Sequence, residues 1–217
     1  MNSLTEENYL KTIYHLSHNG SIAVSTNSIA EMISTKASSV TDMMKKLADK
    51  ELINYIRYQG VTLTDKGKKT AVNIVRRHRL WEVFLMDKLQ FKWDEVHDIA
   101  EELEHINSEM LINRLEEFLG YPKADPHGDP IPDKNGKFMD KEFTPISKMP
   151  TGERGIISGV KEHSSKFLQY LEKIGLTLGR EITVKEIIEF DGSVILYVNT
   201  GNELTISRDV AKNILTV

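Results

Sequence analysis

In the first 64 residues the spacing of apolar side chains changes from helical to strand-like. Few folds contain helices and strands in this order. Residues 5–16, 26–33 and 37–50 carry apolar side chains at helical spacing. Residues 52–58 and 61–64 then alternate with a period of two across a Gln-Gly turn. Three helices followed by a two-stranded hairpin predict a winged helix-turn-helix.

The rest of the chain divides at a proline-rich segment. Helical patterns over 68–89 and 93–119 precede residues 122–150, which contain all six prolines. Short β-rich runs around one short helix follow, and they favour a small SH3-like β-barrel. We therefore predict a mainly α protein with a small amount of β structure. Its expected domains are a winged helix-turn-helix at 1–70, a helical domain with a Pro-rich linker at 71–142 and an SH3-like barrel at 143–217.

Composition excludes several kinds of site. The chain has no cysteine, so disulfides, thiolate metal sites and cysteine nucleophiles are impossible. Any bound metal must be held by imidazole, carboxylate, amide or backbone oxygen. No apolar run approaches the length of a membrane span, and residues 1–7 lack the features of a signal peptide. We therefore expect a cytoplasmic protein with no membrane partner.

Charge is distributed unevenly along the chain. Residues 1–80 carry 12 Lys+Arg against 7 Asp+Glu, a net of +5, although the whole chain has a net charge of −4. A basic first third suggests that this end meets a polyanion. In a helix-turn-helix the third helix enters the major groove of DNA, and its neighbours neutralise phosphates. The predicted DNA-binding residues are Lys36, Ser38, Ser39, Thr41, Asp42, Lys45, Lys46 and, in the wing, Arg57.

The clearest chemical pattern lies between residues 96 and 105. His97, Glu101, Glu104 and His105 are spaced i, i+4, i+7 and i+8, which on a helix places them on one face. His78 and Glu82 form a second pair at i, i+4 on the preceding helix. If the two helices pack antiparallel, the imidazoles and carboxylates converge as in metal sites of helix bundles.

The acidic segment strengthens this interpretation. Residues 93–113 hold seven acidic side chains and no Lys or Arg, an arrangement that repels itself unless a cation is bound. Two other hypotheses stay open. Glutamate and histidine on helices also describe di-metal carboxylate enzymes, but no nucleophile or substrate motif accompanies them, and we expect no enzymatic activity. A winged-helix regulator that responds to a small molecule instead of a metal is the second alternative.

Several motifs resemble the diphtheria-toxin-repressor and manganese-transport-regulator family along the whole chain. They are Ser38-Ser39-Val40-Thr41, Leu63-Thr64-Asp65-Lys66-Gly67, His78-Arg79-Leu80 and the Glu101…Glu104-His105 run. The resemblance implies a homodimer formed through the helical domain, which binds double-stranded operator DNA as a repressor. It also implies Mn²⁺ or Fe²⁺ as corepressor, with Zn²⁺ able to bind in vitro. The C-terminal domain is similar to the SH3-like domain of an iron-transport protein.

The resemblance also implies ligand sets. The primary site carries over to Asn8, Glu101, Glu104 and His105, and the second site to His78, Glu82 and His97. Some members add residues that correspond here to Asp125 and His127, and a residue of the SH3-like domain, for which the candidates are Glu162 and His163. The sequence departs from the family pattern at Asn8, Lys11, Glu101 and Asp125, which leaves the choice between Mn²⁺ and Fe²⁺ open.

Overall fold

The computed structural model describes residues 2–56, 59–139, 142–199 and 201–217. It confirms the predicted fold class, a mainly helical chain with a small amount of β structure. Among the described residues, no helix is both long and apolar enough to cross a lipid bilayer. The chain forms two compact units. Unit 1 comprises Met1–His78, Glu101–Arg114 and Pro132–Phe138, and unit 2 comprises Arg79–Ala100, Leu115–Ile131 and Met139–Val217.

Unit 1 begins with three helices, α1 (Leu4–Leu16), α2 (Thr26–Met32) and α3 (Ala37–Asp49). A capping box starts α1, because the Ser3 hydroxyl accepts from the Glu6 amide and the Glu6 carboxylate accepts from the Ser3 amide. The apolar faces of the three helices meet in one core, as their periodicity predicts.

A two-stranded hairpin follows the third helix. Strands β1 (Ile53–Ile56) and β2 (Gly60–Leu63) pair antiparallel, and Val24 bridges to β2 as a single extra residue. Buried Val61 and Ile53 join the core of the three helices. This arrangement of helices and hairpin matches the predicted winged helix-turn-helix, although the expected strand end at residues 57 and 58 lies outside the described part of the chain.

Three more helices continue the chain, and one of them corrects a prediction. They are α4 (Asp65–Leu89), α5 (Val96–Leu103) and α6 (Glu109–Phe118). We expected Glu104 and His105 to extend the helical face of His97, but α5 ends at Leu103 and both residues lie in the turn that follows. Their positions therefore depend on that turn and not on helical periodicity alone.

Unit 2 contains an antiparallel sheet of six strands in the order β3-β8-β4-β5-β6-β7. Two helices, α7 (Ser165–Ile174) and α8 (Arg208–Asn213), accompany it around an apolar core. Strands β3 and β8 and helix α8 were not predicted. The strands are β3 (Thr144–Pro145), β4 (Arg154–Val160), β5 (Glu181–Ile187), β6 (Val194–Val198), β7 (Asn202–Ile206) and β8 (Ile214–Thr216).

The loop around Asp125 is held against strand β4 by a close backbone approach. The Val160 amide donates to the His127 carbonyl at 3.0 Å. Gly128 has φ +90°, and a Cβ atom built on it would lie 2.0 Å from the Ser158 carbonyl oxygen. Only glycine therefore fits here, because it tolerates both the backbone conformation and the contact.

Replacing this glycine should destabilise unit 2 more than backbone strain alone explains. Gly152 is a matched control, since it has φ +88° and a Cβ there would meet nothing within 4 Å. Gly152→Ala should cost about 1–2 kcal/mol through its left-handed conformation. Gly128→Ala should cost about 1–3 kcal/mol more, because the strand or the loop must move. Urea denaturation of both variants measures the difference, and equal losses would contradict the close approach.

Candidate metal centres

Unit 1 gathers charged side chains around the N-terminal half of helix α1. Glu7 and Lys11 lie one turn apart and therefore share a face of α1. Glu7 is buried, and its Oε2 lies 2.8 Å from His105 Nδ1 and 3.1 Å from Arg77 Nη2. We call this group the helix-1 cluster: Glu7, Lys11, His78, Glu101, Glu104 and His105.

Glu104 lies at the centre of the helix-1 cluster and is fully buried. Its Oε2 is 2.7 Å from His78 Nδ1, and the Lys11 ammonium lies 2.7 Å from both carboxylate oxygens. The same ammonium is 2.6 Å from Glu101 Oε1. The turn after α5 thus brings Glu104 and His105 to side chains of α1 and α4.

The donor set of the helix-1 cluster fits a hard divalent cation. It consists of carboxylate oxygens and imidazole nitrogens, which suit Mn²⁺ and Fe²⁺. Glu104 is fully buried, and both of its carboxylate oxygens face the Lys11 ammonium, a position that a cation can occupy. Helix α1 contributes Glu7 and Lys11 to these contacts, whereas Asn8, the ligand implied by the resemblance, is exposed.

A second group of ligand-type side chains lies within unit 2. One donor atom each from Glu82, Asp125 and His127 lies within 4.8 Å of the others. All three residues are buried. Glu82 comes from α4, and the other two come from the loop that is held on β4. We call these three residues the loop cluster.

The hydrogen bonds of His127 leave one ring nitrogen ready to bind a metal. Its Nε2 lies 2.7 Å from the Trp93 carbonyl oxygen, which can only accept, so Nε2 carries a proton. Its Nδ1 is buried, has no hydrogen-bond partner among the described residues and lies 3.6 Å from Glu82 Oε1. A backbone carbonyl that orients the second ring nitrogen is the usual arrangement for a metal-binding histidine.

The two carboxylates of the loop cluster are incompletely neutralised. Asp125 Oδ1 accepts from the backbone amides of His127 and Asp129 at 2.8 and 3.0 Å. Burial and the negative charge of Glu82 nevertheless raise the pKa of Asp125 to about 7. The Arg79 guanidinium is 3.5 Å from Asp125 and closer, 2.9 Å, to Asp129. A divalent cation would relieve this repulsion, so the loop cluster also fits a metal.

Two further histidines border the loop cluster. His97 Nδ1 lies 3.3 Å from Glu82 Oε1. The His163 ring stacks on His127 with centroids 4.8 Å apart, and burial lowers the pKa of His163. Glu162, the alternative to His163, is exposed and caps the Ser164 amide. Of the implied second set, His78 contacts Glu104, and Glu82 and His97 contact each other.

Most of the predicted DNA-binding residues form an exposed surface on and before helix α3. Thr41 is half-buried and its hydroxyl donates to the Ala37 carbonyl. Lys45 pairs with Asp42 at 3.2 Å. Arg57 lies outside the described residues. The exposed ones are Lys36, Ser38, Ser39, Asp42, Lys45 and Lys46.

Helix α3 is also tied to helix α1 by a buried acid that the sequence interpretation missed. Glu6 lies 3.0 Å from Lys46 Nζ and 2.7 Å from Lys50 Nζ. Burial alone would raise the pKa of Glu6, but the two lysines and the Ser3 amide lower it to about 2. Glu7 was missed as well, although it continues the buried stripe of Leu10 and Tyr14 at helical spacing.

Comparisons with protein-family models cover nearly the whole chain. Residues 1–61 match the iron dependent repressor N-terminal DNA binding domain. Residues 64–133 match the iron dependent repressor metal binding and dimerisation domain, and residues 144–216 match the FeoA domain.

Individual relatives agree with these matches. A solved manganese-dependent transcriptional repressor in complex with manganese is 34% identical, with a TM-score of 0.88 over 98% of this chain and 99% of that one. The manganese regulator SloR is 35% identical, with a TM-score of 0.77 over 98% and 97% of the two chains. The iron-dependent repressor IdeR of Mycobacterium leprae is 26% identical over 97% of this chain and 96% of its own. The chain therefore belongs to the diphtheria-toxin-repressor and manganese-transport-regulator family of metal-dependent transcription regulators.

Proposed function

We propose that the protein is a repressor of manganese or iron homeostasis genes, whose binding to operator DNA requires a divalent cation. The observation that carries this proposal is the position of helix α1 between two sets of ion pairs. Glu6 contacts lysines of and next to the predicted recognition helix, and Glu7 contacts His105 of the helix-1 cluster. A cation at that cluster would restrain α1, and α1 would in turn restrain α3.

The bound cation would act as a structural corepressor. It would supply positive charge that neutralises buried carboxylates. In the helix-1 cluster Glu101, Glu104 and His105 would hold it, and in the loop cluster Glu82, Asp125 and His127 would hold it. His97 and His163 lie beside the loop cluster and would orient its ligands or complete the set. Its effect on DNA affinity is a coupling free energy between two sites.

A homodimer would present two recognition helices to two half-sites of the operator about one helical turn apart. Helix α6 supports this assembly, because it exposes Met110, Leu111 and Phe118. Large exposed apolar side chains on one helix are typical of an interface with another chain. Residues 64–133 also match a family model for a metal binding and dimerisation domain. We place the protein in the cytoplasm, where operator DNA is found.

The two alternatives are weaker. Membership of a family of DNA-binding transcription regulators argues against a di-metal enzyme. A small-molecule regulator would leave unexplained the buried Nδ1 of His127, which has no hydrogen-bond partner among the described residues. We therefore propose a binding protein without catalytic activity, and an operator gel-shift titration with and without metal separates the three hypotheses.

Loss of a ligand from either cluster should weaken the activation of operator binding by metal. His105→Ala and His127→Ala each remove one imidazole, and metal-dependent operator affinity should fall at least about tenfold in both. His18→Ala is the matched control, because His18 is exposed and contacts neither cluster among the described residues. Circular dichroism verifies folding, and fluorescence anisotropy with labelled operator at buffered Mn²⁺ measures affinity. Full activation of both variants would remove the clusters from the mechanism.

Operator binding should also depend steeply on salt. Each phosphate that a lysine neutralises contributes a slope of about −0.9 in log affinity against log salt. Lys45→Ala should therefore flatten the slope by about 2 in a dimer, one unit for each protomer. Lys173→Ala, on the exposed side of α7, should leave the slope unchanged. A complex that is insensitive to salt would argue against DNA as the partner.

Metal preference follows from the donor set. Because all predicted ligands offer oxygen or imidazole nitrogen, Mn²⁺ and Fe²⁺ should both activate, with Mn²⁺ favoured by the additional carboxylate of Glu101. Zn²⁺ should bind more tightly but activate poorly, since it accepts fewer ligands. Operator affinity against buffered free metal, under anaerobic conditions for Fe²⁺, measures this order. Activation by Zn²⁺ while Mn²⁺ and Fe²⁺ stay inert at micromolar levels would reverse the assignment.

A further inference from the structure

The helix-1 cluster already contains a cation that belongs to the chain. The Lys11 ammonium lies 2.6 Å from Glu101 Oε1 and 2.7 Å from both oxygens of Glu104. The Lys11 side chain is only 11% exposed, so water screens these contacts weakly. Three carboxylate oxygens thus converge on one ammonium group.

A metal ion and this ammonium cannot use the same oxygens together. Metal–carboxylate bonds are about 2.0–2.6 Å long, so a metal bound to Glu101 and Glu104 would take the space that the Lys11 nitrogen fills. A divalent cation held next to the ammonium would also be repelled by it. The metal can bind these two carboxylates only if the ammonium withdraws.

The loop cluster differs in this respect. The nearest cation that contacts it, Arg79, has its guanidinium held by Asp129 at 2.9 Å and stays 3.5 Å from Asp125. No lysine ammonium pairs with Asp125 or His127 within the described part of the chain. A metal that binds Asp125 and His127 therefore displaces no ammonium group from them.

We propose that Lys11 is a built-in competitor of the metal at the helix-1 cluster. In the metal-free protein it neutralises Glu101 and Glu104, and it is displaced when a divalent cation binds. This inference rests on the proposed function, in which both clusters bind metal. Its consequence is an order of loading: the loop cluster fills at lower metal concentration, and the helix-1 cluster sets the concentration at which the protein responds.

The exchange also changes how helix α1 is held. Without metal, the Lys11 ion pairs tie α1 to Glu101 and Glu104, so the helix is not released completely. With metal, the ammonium leaves those carboxylates and a doubly charged ion takes its place. Metal binding thus replaces a contact of α1 and does not simply add one, which reduces the net free energy of binding.

Calorimetric titration with Mn²⁺ tests the competition directly. The full-length protein carries His127→Ala, so that the helix-1 cluster dominates binding, and Lys11→Met is added to remove the charge at similar length. Because a like charge a few ångströms from a cation opposes its binding, Lys11→Met should tighten the Mn²⁺ affinity at least about tenfold. Lys185→Met, which removes a lysine that pairs with Glu203 in the sheet of unit 2, is the control and should leave the affinity unchanged.

Further variants separate charge from folding. Lys11→Arg keeps the charge and should bind Mn²⁺ like the His127→Ala parent, whereas Lys11→Gln, which keeps a donor, should behave like Lys11→Met. Without metal, Lys11→Met should melt at a lower temperature than the parent, because Glu104 loses its counter-ion. With Mn²⁺, its melting temperature should rise by more than that of the parent.

The outcomes distinguish the two levels of the proposal. Equal Mn²⁺ affinities of the parent and Lys11→Met would overturn the role of Lys11 while leaving the helix-1 cluster a metal site. If neither His127→Ala nor its Lys11→Met derivative binds Mn²⁺ while the unmodified protein does, the helix-1 cluster is no metal site, and both the inference and that part of the proposed function fail. Weaker Mn²⁺ binding by the Lys11→Met derivative than by its parent would also overturn the role of Lys11.

Discussion

Burial of carboxylates beside helix α1 is the constraint on which unit 1 depends. Glu6, Glu7 and Glu104 are each at most 5% exposed, and an isolated charge at such positions costs several kcal/mol. Each is matched by nearby cationic or protonatable groups. Lys46 and Lys50 neutralise Glu6, Arg77 and His105 contact Glu7, and Lys11 and His78 contact Glu104. The placement of α1 is therefore set by charge pairing as well as by its apolar face.

The buried carboxylates of the loop cluster are neutralised in another way. The Asp125 carboxylate accepts two amide hydrogen bonds and lies 3.5 Å from the Arg79 guanidinium, with no lysine ammonium paired to it among the described residues. The raised pKa of Asp125 shows that this compensation is incomplete. Two clusters with similar donor atoms thus differ in residual negative charge, and a difference in residual charge becomes a difference in cation affinity. If both clusters bind metal as we propose, one protein would in this way respond to two ranges of metal concentration.

The spacing of apolar residues predicted the helices and the hairpin of unit 1 well. Helix α3 has one apolar face, and apolar and polar residues alternate along the hairpin strands. This spacing was less informative beyond α5. Spacing placed Glu104 on a helix that ends one residue earlier, yet the turn still brings its carboxylate to Lys11. Strands β3 and β8 are two and three residues long and pair with distant parts of the chain, so no local pattern marks them.

The partners of the ligand-type residues on α4 were beyond sequence reasoning for a related reason. His78 and Glu82 lie one turn apart on α4, which suggested a shared site. Their partners come from segments distant in sequence: Glu104 from the turn after α5, and Asp125 and His127 from a loop that glycine allows to approach β4. Spacing on one helix predicts which side chains share a face. Which residues form a site with them depends on the other segments that reach that face. For the same reason Lys11, a departure from the family pattern in the sequence, acquires its meaning only from the two carboxylates that surround it.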